Sequence, residues 1–335
     1  MGNTGGKNKM YGTGSQVRTK LGKAEVKGNF QPGHHETEYC YGGEADLHKH
    51  YTSCKKNPGH VNFIPVNDFN LSHLPSRYHD VIMLEVIKAL SALTVLIKVK
   101  YTSLGRPKSV PCFSGQYPFY NTRGSDVLRT GTGTVYEVRK HTEDGEKRTC
   151  RCSKCRHSDT PSKVWGKITV LTATQVVFDA SEARKTRCVV GFDDNKSPGV
   201  SLKGWRMACA DIERDDCTLK CVSCDMELVD NLYNMCELFK ALRGQVRDKY
   251  WRYLDVDKLT VIVSHPHGCP KQVSIGRWTQ KHKGKTLSKY TYTTCTCPGS
   301  SGAHVYIAAY GTWWCPKYSH CGSNSQGNYS GEGVL

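Results

Sequence analysis

The segment richest in chemical content is Cys297-Pro298-Gly299-Ser300-Ser301-Gly302-Ala303. It lies between a Thr/Tyr-rich stretch and an apolar run. A Gly-x-Ser-Gly turn can serve acyl transfer in two ways. It lifts a serine hydroxyl, here that of Ser301, into a cleft. It also aims backbone N–H groups, here those of Gly299 and Ser301, at one point where an oxyanion can be held. A plain turn carries the same pattern, so the chemical reading needs support from upstream.

A second chemistry is metal binding. Cys150, Cys152, Cys155 and His157 place three thiols and an imidazole within one short loop. Such a set suits tetrahedral zinc. Cys217, Cys221 and Cys224 form another group, and residues 34–60 hold His34, His35, Cys40, His48, His50, Cys54 and His60 at irregular spacing. The cysteine count is 17, an odd number. The chain opens without an apolar signal-peptide core, so the thiols are expected to be reduced and the location cytoplasmic. A structural zinc is one reading, free cysteines or disulfides the other. No cofactor is required.

These residues need elements to position them. Residues 1–30 are rich in Gly, Lys, Asn and Thr and read as a flexible basic tail. Residues 31–125 form a Cys/His-containing extension with one helix starting at Pro75, carrying Tyr78, Val81, Ile82, Val86, Leu90 and Leu93 at helical spacing. Strands are expected over Thr94–Tyr101, Gly131–Val138, Trp165–Val177, Cys188–Phe192, Leu259–Val263 and Val305–Tyr310. A second helix is expected near 226–248, with Leu228, Leu232, Met235, Leu238, Phe239 and Leu242 on one face. No internal repeat is visible.

Over residues 126–335 the chain resembles the chymotrypsin/trypsin-like serine peptidases of the PA clan. Ile168 through Ala173-Thr174-Gln175 is similar to the strand that ends in Thr-Ala-Ala-His in that family, where the histidine is the general base. Gly131-Thr132-Gly133-Thr134-Val135 is similar to the family's opening Gly-Ser-Gly strand. Asp257-Lys258-Leu259-Thr260-Val261-Ile262 looks like its Asp followed by an apolar strand, and Ser264-His265-Pro266 is familiar from bacterial-type members. The order base, Asp, Ser matches chymotrypsin. The resemblance implies a mainly β fold of two six-stranded antiparallel β-barrels, with a helical insertion and an α/β N-terminal extension. It assigns Ser301 as nucleophile, Asp257 as the acid with Asp255 as its rival, and Gly299 as an oxyanion donor.

The departure is Gln175 at the base position. A glutamine amide has no useful pKa and cannot take the serine proton at pH 7. An unassisted hydroxyl is a weak nucleophile. The expectation is a pseudo-peptidase or a very weak enzyme, although the rest of the site survives. His265, His267 and His304 follow the assigned segments, but none has the family position. Tyr318-Ser319-His320-Cys321-Gly322 resembles the first specificity pocket of glutamyl endopeptidases, which implies that His320 favours a Glu or Gln side chain; a structural histidine is the alternative.

Composition limits the classes. With 335 residues, 38% hydrophobic and 10% aromatic, the chain can bury a core and is not wholly disordered. Its longest apolar stretch, Val81 to Val99, is broken by Glu85, Lys88 and Lys98, so no membrane span is expected. A net charge of +17 suits an acidic partner. A basic nucleic-acid-binding protein with structural zinc sites is therefore the alternative to a protein that takes a peptide or protein ligand.

Overall fold

The computed structural model describes residues 17–18, 33–110, 115–142, 149–283, 287–310 and 318–334. Most of the expected basic tail lies outside these residues. Helix α1 spans Val81–Leu93. It begins five residues beyond Ser76 because Asp80 caps it, accepting from the Ile82 N–H at 3.1 Å, while Ser76–Tyr78 makes only a 3-10 turn. Its buried face is Met83, Val86, Ile87, Leu90 and Leu93. Strand β1 (Thr94–Val99) follows directly.

Five more strands complete the first sheet: β2 (Leu128–His141), β3 (Trp165–Thr172), β4 (Thr186–Val190), β5 (Val200–Asp211) and β6 (Asp216–Ser223). Their order is β1-β2-β3-β6-β5-β4, and β4 pairs back onto β1. Every one of these pairings is antiparallel, so the six strands close a barrel. Closure removes free edges, which a mainly polar strand such as β5 could not otherwise protect. Short segments add to it: Glu38–Cys40 pairs with β2, and Val17–Arg18 runs parallel to β5. The boundary expected at residue 126 falls between β1 and β2, two paired strands of this barrel.

Between β3 and β4 sits the short helix α2 (Ala180–Arg184). Its Glu182 is fully buried and meets Arg106 at 2.7 Å and Arg129 at 3.0 Å. The backbone N–H groups of Ser103 and Phe178 also donate to that carboxylate, each at 2.9 Å. Two guanidiniums and two amides satisfy a charge that would otherwise be intolerable in the core. Arg106 extends the network by donating to the carbonyl of Gln175 at 3.0 Å.

Helix α3 (Met226–Tyr250) lies where a helix is expected near 226–248. Asp225 caps it through the Leu228 N–H. It buries Val229, Leu232, Cys236, Phe239, Leu242 and Val246. Its last turn is fixed to α1: Lys249 and the Tyr250 hydroxyl both donate to Asp80, at 2.7 and 2.8 Å. The four-residue helix α4 (Leu254–Asp257) leads into the second sheet.

That sheet contains β7 (Leu259–Ser264), β8 (Gln272–Lys283), β9 (Leu287–Tyr292), β10 (Val305–Ile307), β11 (His320–Asn324) and β12 (Gly327–Ser330). The order is β10-β7-β8-β9-β12-β11, and three two-residue segments add to it: His34–His35 on β11, Ile64–Pro65 on β8 and Gly333–Val334 on β9. The ends approach one another where Val305 N–H donates to Tyr318 O and His320 N–H to Ala303 O, each at 2.8 Å. The strand pairings of the described residues thus close one barrel and form one further sheet. One apolar core joins α1, α3, the barrel and the Val261, Val263 and Val273 side of the second sheet. Among the described residues no helix is long and apolar enough to cross a membrane.

Candidate functional site

Ser301 sits where the barrel meets the second sheet. The turn that carries it is fixed from both sides. Thr132 of β2 donates its N–H to the Ser301 carbonyl and its hydroxyl to the Gly299 carbonyl, both at 2.8 Å. From the other side, Gly302 N–H donates to His320 O at 2.8 Å. Gly299 has φ +94°, and a Cβ there would meet the His265 carbonyl at 2.7 Å. Any other residue would be strained in backbone and short of space. The turn therefore presents the Ser301 hydroxyl into a confined, buried seam.

Across the seam, β3 ends at Thr172 and the chain turns through Ala173-Thr174-Gln175. Gln175 is buried and doubly bound to Asp215: its backbone N–H donates to Oδ1 at 2.9 Å and its Nε2 to Oδ2 at 3.0 Å. Nε2 also donates to the Cys321 carbonyl at 2.6 Å, the same oxygen that Ser301 Oγ approaches at 3.5 Å. Asp215, Gln175 and Ser301 thus converge on one locus. Both amide protons are committed as donors, and Gln175 Oε1 finds no hydrogen-bond partner among the described residues. Asp215 stands in the turn between β5 and β6 with φ +49°. It takes a further bond from the Cys321 thiol at 2.9 Å. Burial, with the Asp215 charge beside it, pushes that thiol well above its ordinary range, so Cys321 is a donor and not a nucleophile.

The seam is filled by the chain itself. His34–His35 lies antiparallel on β11, with His35 opposite Gly322 and His34 opposite Ser323. Gly322 is needed there, since a Cβ would run into the His34 carbonyl. Glu36 follows at the Ser301 turn. Ser301 Oγ donates to the Glu36 carbonyl at 2.6 Å. The Glu36 carboxylate faces His320 Nε2 at 3.1 Å and forms an ion pair with Lys56. Two residues on, Glu38–Cys40 joins β2 of the barrel. Residues 34–40 therefore cross from one sheet to the other, with the Glu36–Thr37 link beside Ser301.

His320 is completely buried, and burial together with the Lys56 charge holds its pKa well below the ordinary value. The ring is neutral at pH 7. Tyr292 OH, at 2.7 Å from Nδ1, then donates, and Nε2–H donates to Glu36. This pocket holds a carboxylate with one imidazole N–H and one ammonium.

Other expected residues lie elsewhere. Asp257 ends α4 and pairs with Arg77 at 2.9 Å; Asp255 lies on the same short helix. The carboxylate on Gln175 belongs to Asp215 instead. His265 is buried with Nδ1 on the Cys269 carbonyl at 2.9 Å, and burial together with the Lys271 charge pushes it down to about 3. His304 packs its ring against Phe239. His267 bonds Glu38 at 2.7 Å. None of the three is shown bonding Ser301.

The cysteine loop does gather a metal-type set. Cys150, Cys152, Cys155 and Cys224 hold their sulfurs within 4.8 Å of one another. Cys152 and Cys224 are 3.6 Å apart. Burial alone would raise the Cys152 thiol, but the Cys155 N–H and the Cys224 thiol hold it down at about 7. Four clustered sulfurs fit a tetrahedral ion. The fourth member is Cys224 rather than His157, because the 3-10 turn over Cys155–His157 leaves His157 exposed while the end of β6 delivers Cys224. Cys217 and Cys221 instead point into the barrel core, where Cys221 faces Cys188 at 3.9 Å.

Asp215 and Glu36 are among the residues of the site that the sequence does not single out. Asp215 sits on the β5–β6 hairpin, which was not expected at all. Its signal was the alternation Leu202, Gly204 and then Leu219, Cys221, broken by the acidic turn Asp215-Asp216. Glu36 carries no local signal, since its role depends on a contact with residues some 265 positions away.

No protein-family model and no curated protein matches the sequence. Among solved structures, the chain is similar to a structure titled HtrA-type protease AlgW with tripeptide, at 10% identity and TM-score 0.38, covering 75% of this chain and 58% of that one. It is also similar to the Rv3671c protease from M. tuberculosis in its active form, at 12% identity and TM-score 0.37, covering 76% of this chain and 81% of that one. The chain thus spans less than two thirds of the length of the first of these proteases.

Proposed function

We infer that this chain is a trypsin-like serine-peptidase scaffold that binds a glutamyl peptide segment without hydrolysing it efficiently. In this reading Ser301 is the nucleophile position, Gln175 the base position, Asp215 its acid, Gly299 an oxyanion donor and His320 the floor of the side-chain pocket. The second sheet is the second barrel of such a scaffold.

The observation that carries the reading is the seating of Glu36. Its carbonyl takes the Ser301 proton as a hydrogen bond, and its carboxylate lies on His320 and Lys56. A peptide adding as a strand beside β11 gains main-chain hydrogen bonds, and the pocket supplies the side-chain preference. Catalysis fails at one step. Attack on a carbonyl carbon requires a base to remove the serine proton. The Gln175 amide donates both its protons, and its oxygen is not basic. The proton stays on Oγ, which therefore donates to the substrate-like carbonyl.

A fluorophosphonate probe tests this directly. The wild-type protein and Ser301→Ala should both remain unlabelled over a time course that saturates an active serine hydrolase. Labelling of wild type at Ser301, absent in Ser301→Ala, would show that another group serves as base and would overturn the assignment of an inert serine.

A further inference from the structure

Two cysteines and two histidines from distant parts of the chain meet beside the Ser301 turn. Cys54 and His60 come from the N-terminal extension, His267 from the turn after β7, and Cys297 from the start of the serine turn. All four are buried, and their ligand atoms lie within 4.8 Å of one another. The Cys54 and Cys297 sulfurs are 3.5 Å apart, and His60 Nε2 is 3.4 Å from Cys297 Sγ. Zn–S bonds of about 2.3 Å and Zn–N bonds of about 2.0–2.1 Å give tetrahedral edges of roughly 3.8 Å for S···S and 3.6 Å for S···N. The observed spacings are close to those edges. A disulfide would need its sulfurs at about 2.05 Å, with two buried imidazoles left facing it.

The surroundings are those of a metal site. His267 Nδ1 donates to the Glu38 carboxylate at 2.7 Å, which fixes the ring and leaves Nε2 as the ligand atom. That Nε2 is turned toward the Cys54 thiol, and the side chain is almost wholly buried. Tyr51 stacks on His60 at 4.0 Å and fixes the second ring. Asn57 directs its N–H at Cys54 Sγ (3.4 Å) and its amide at Cys297 Sγ (3.1 Å), as donors to thiolates would stand. His60 and His267 both hold left-handed backbone, φ +49° and +54°, a strain that persists where the surroundings over-determine it.

We propose that Cys54, His60, His267 and Cys297 bind a zinc ion that fastens the N-terminal extension to the serine turn. Binding releases the two thiol protons, so a divalent ion, two thiolates and two neutral imidazoles leave the buried site without net charge. The ion is a clamp on the cleft. Lys56, held between Cys54 and His60, pairs with Glu36, and Glu38 bonds His267. The site is independent of the four sulfurs of Cys150, Cys152, Cys155 and Cys224, so the two sites must be tested apart.

The test measures zinc per chain in the purified full-length protein, and visible absorption after exchange into cobalt(II). A Cys152→Ser, Cys155→Ser variant removes the four-sulfur cluster. It should still bind one equivalent of cobalt, with the d–d bands of a tetrahedral two-sulfur, two-nitrogen site. Cys54→Ser should lose one equivalent of zinc relative to wild type. Should Cys54→Ser fail to fold, the cobalt spectrum of the Cys152→Ser, Cys155→Ser protein decides alone. Absence of tetrahedral cobalt in that protein overturns the proposal. So does a Cys54–Cys297 disulfide found by non-reducing peptide mapping, or an unchanged zinc content in folded Cys54→Ser.

Discussion

Gln175→His, combined with Glu36→Ala to free the cleft, should turn Ser301 into a reactive nucleophile. An imidazole at position 175 can bond Asp215 through one nitrogen, replacing the 3.0 Å amide bond, and offer the other to the Ser301 proton. General-base assistance contributes about 10²–10⁴-fold. Fluorophosphonate labelling should therefore accelerate by about that factor over Glu36→Ala alone. The orphan Gln175 Oε1 means that the substitution sacrifices no existing acceptor bond. Intact-mass time courses read the result, with Ser301→Ala in the same background as the control. A folded double variant that labels no faster than Glu36→Ala would show that the Asp215–residue 175–Ser301 alignment is not productive.

Glu182→Ala should be the most destabilising single change outside the apolar core. It leaves Arg106 and Arg129, both buried, without their counter-charge. Breaking a buried pair by removing one partner costs about 3–5 kcal/mol. Urea denaturation should show an unfolding free energy lower by about that much, and a loss under about 1 kcal/mol would contradict it. The same group sets a pH dependence. Burial by itself would raise the Glu182 carboxyl, but the charges of Arg106 and Arg129 bring it from 4.5 to about 2. A depressed folded-state pKa means the contribution is complete above the unfolded value, near 4.5, and fades as pH falls toward 2. Wild type should lose stability across that window, and Glu182→Ala should lose less.

Local patterns made part of this molecule legible. Ser301 and Gln175 stand out because each sits in a short motif, and the 3.6-residue periodicity of Leu232, Phe239 and Leu242 marks α3. The β5–β6 hairpin escaped because Lys203, Arg206 and Lys220 put charge on its solvent face and interrupt the apolar signal. That hairpin carries Asp215, the carboxylate that bonds Gln175, whereas Asp257 draws attention through its proximity to an apolar strand. Zinc-type sets were similarly half visible. Cys150, Cys152 and Cys155 share a loop, but Cys224 joins them only because β6 pairs with β3. The segment around Glu36 is the least legible of all. Its sequence is an unremarkable polar stretch, and only long-range strand pairing with β11 and β2 carries it across the seam.

Titration of a fluorescent peptide with the sequence of residues 33–40 into Glu36→Ala, followed by anisotropy, tests the central claim most directly. The account predicts saturable binding that weakens at least tenfold when the peptide's glutamate corresponding to Glu36 becomes alanine, and that is reduced again by His320→Leu. Wild type should bind far less, because its own tethered segment holds the cleft at a high effective concentration. Equal binding of the glutamate and alanine peptides, or no binding to a folded Glu36→Ala protein, would contradict a cleft built to hold a glutamyl segment.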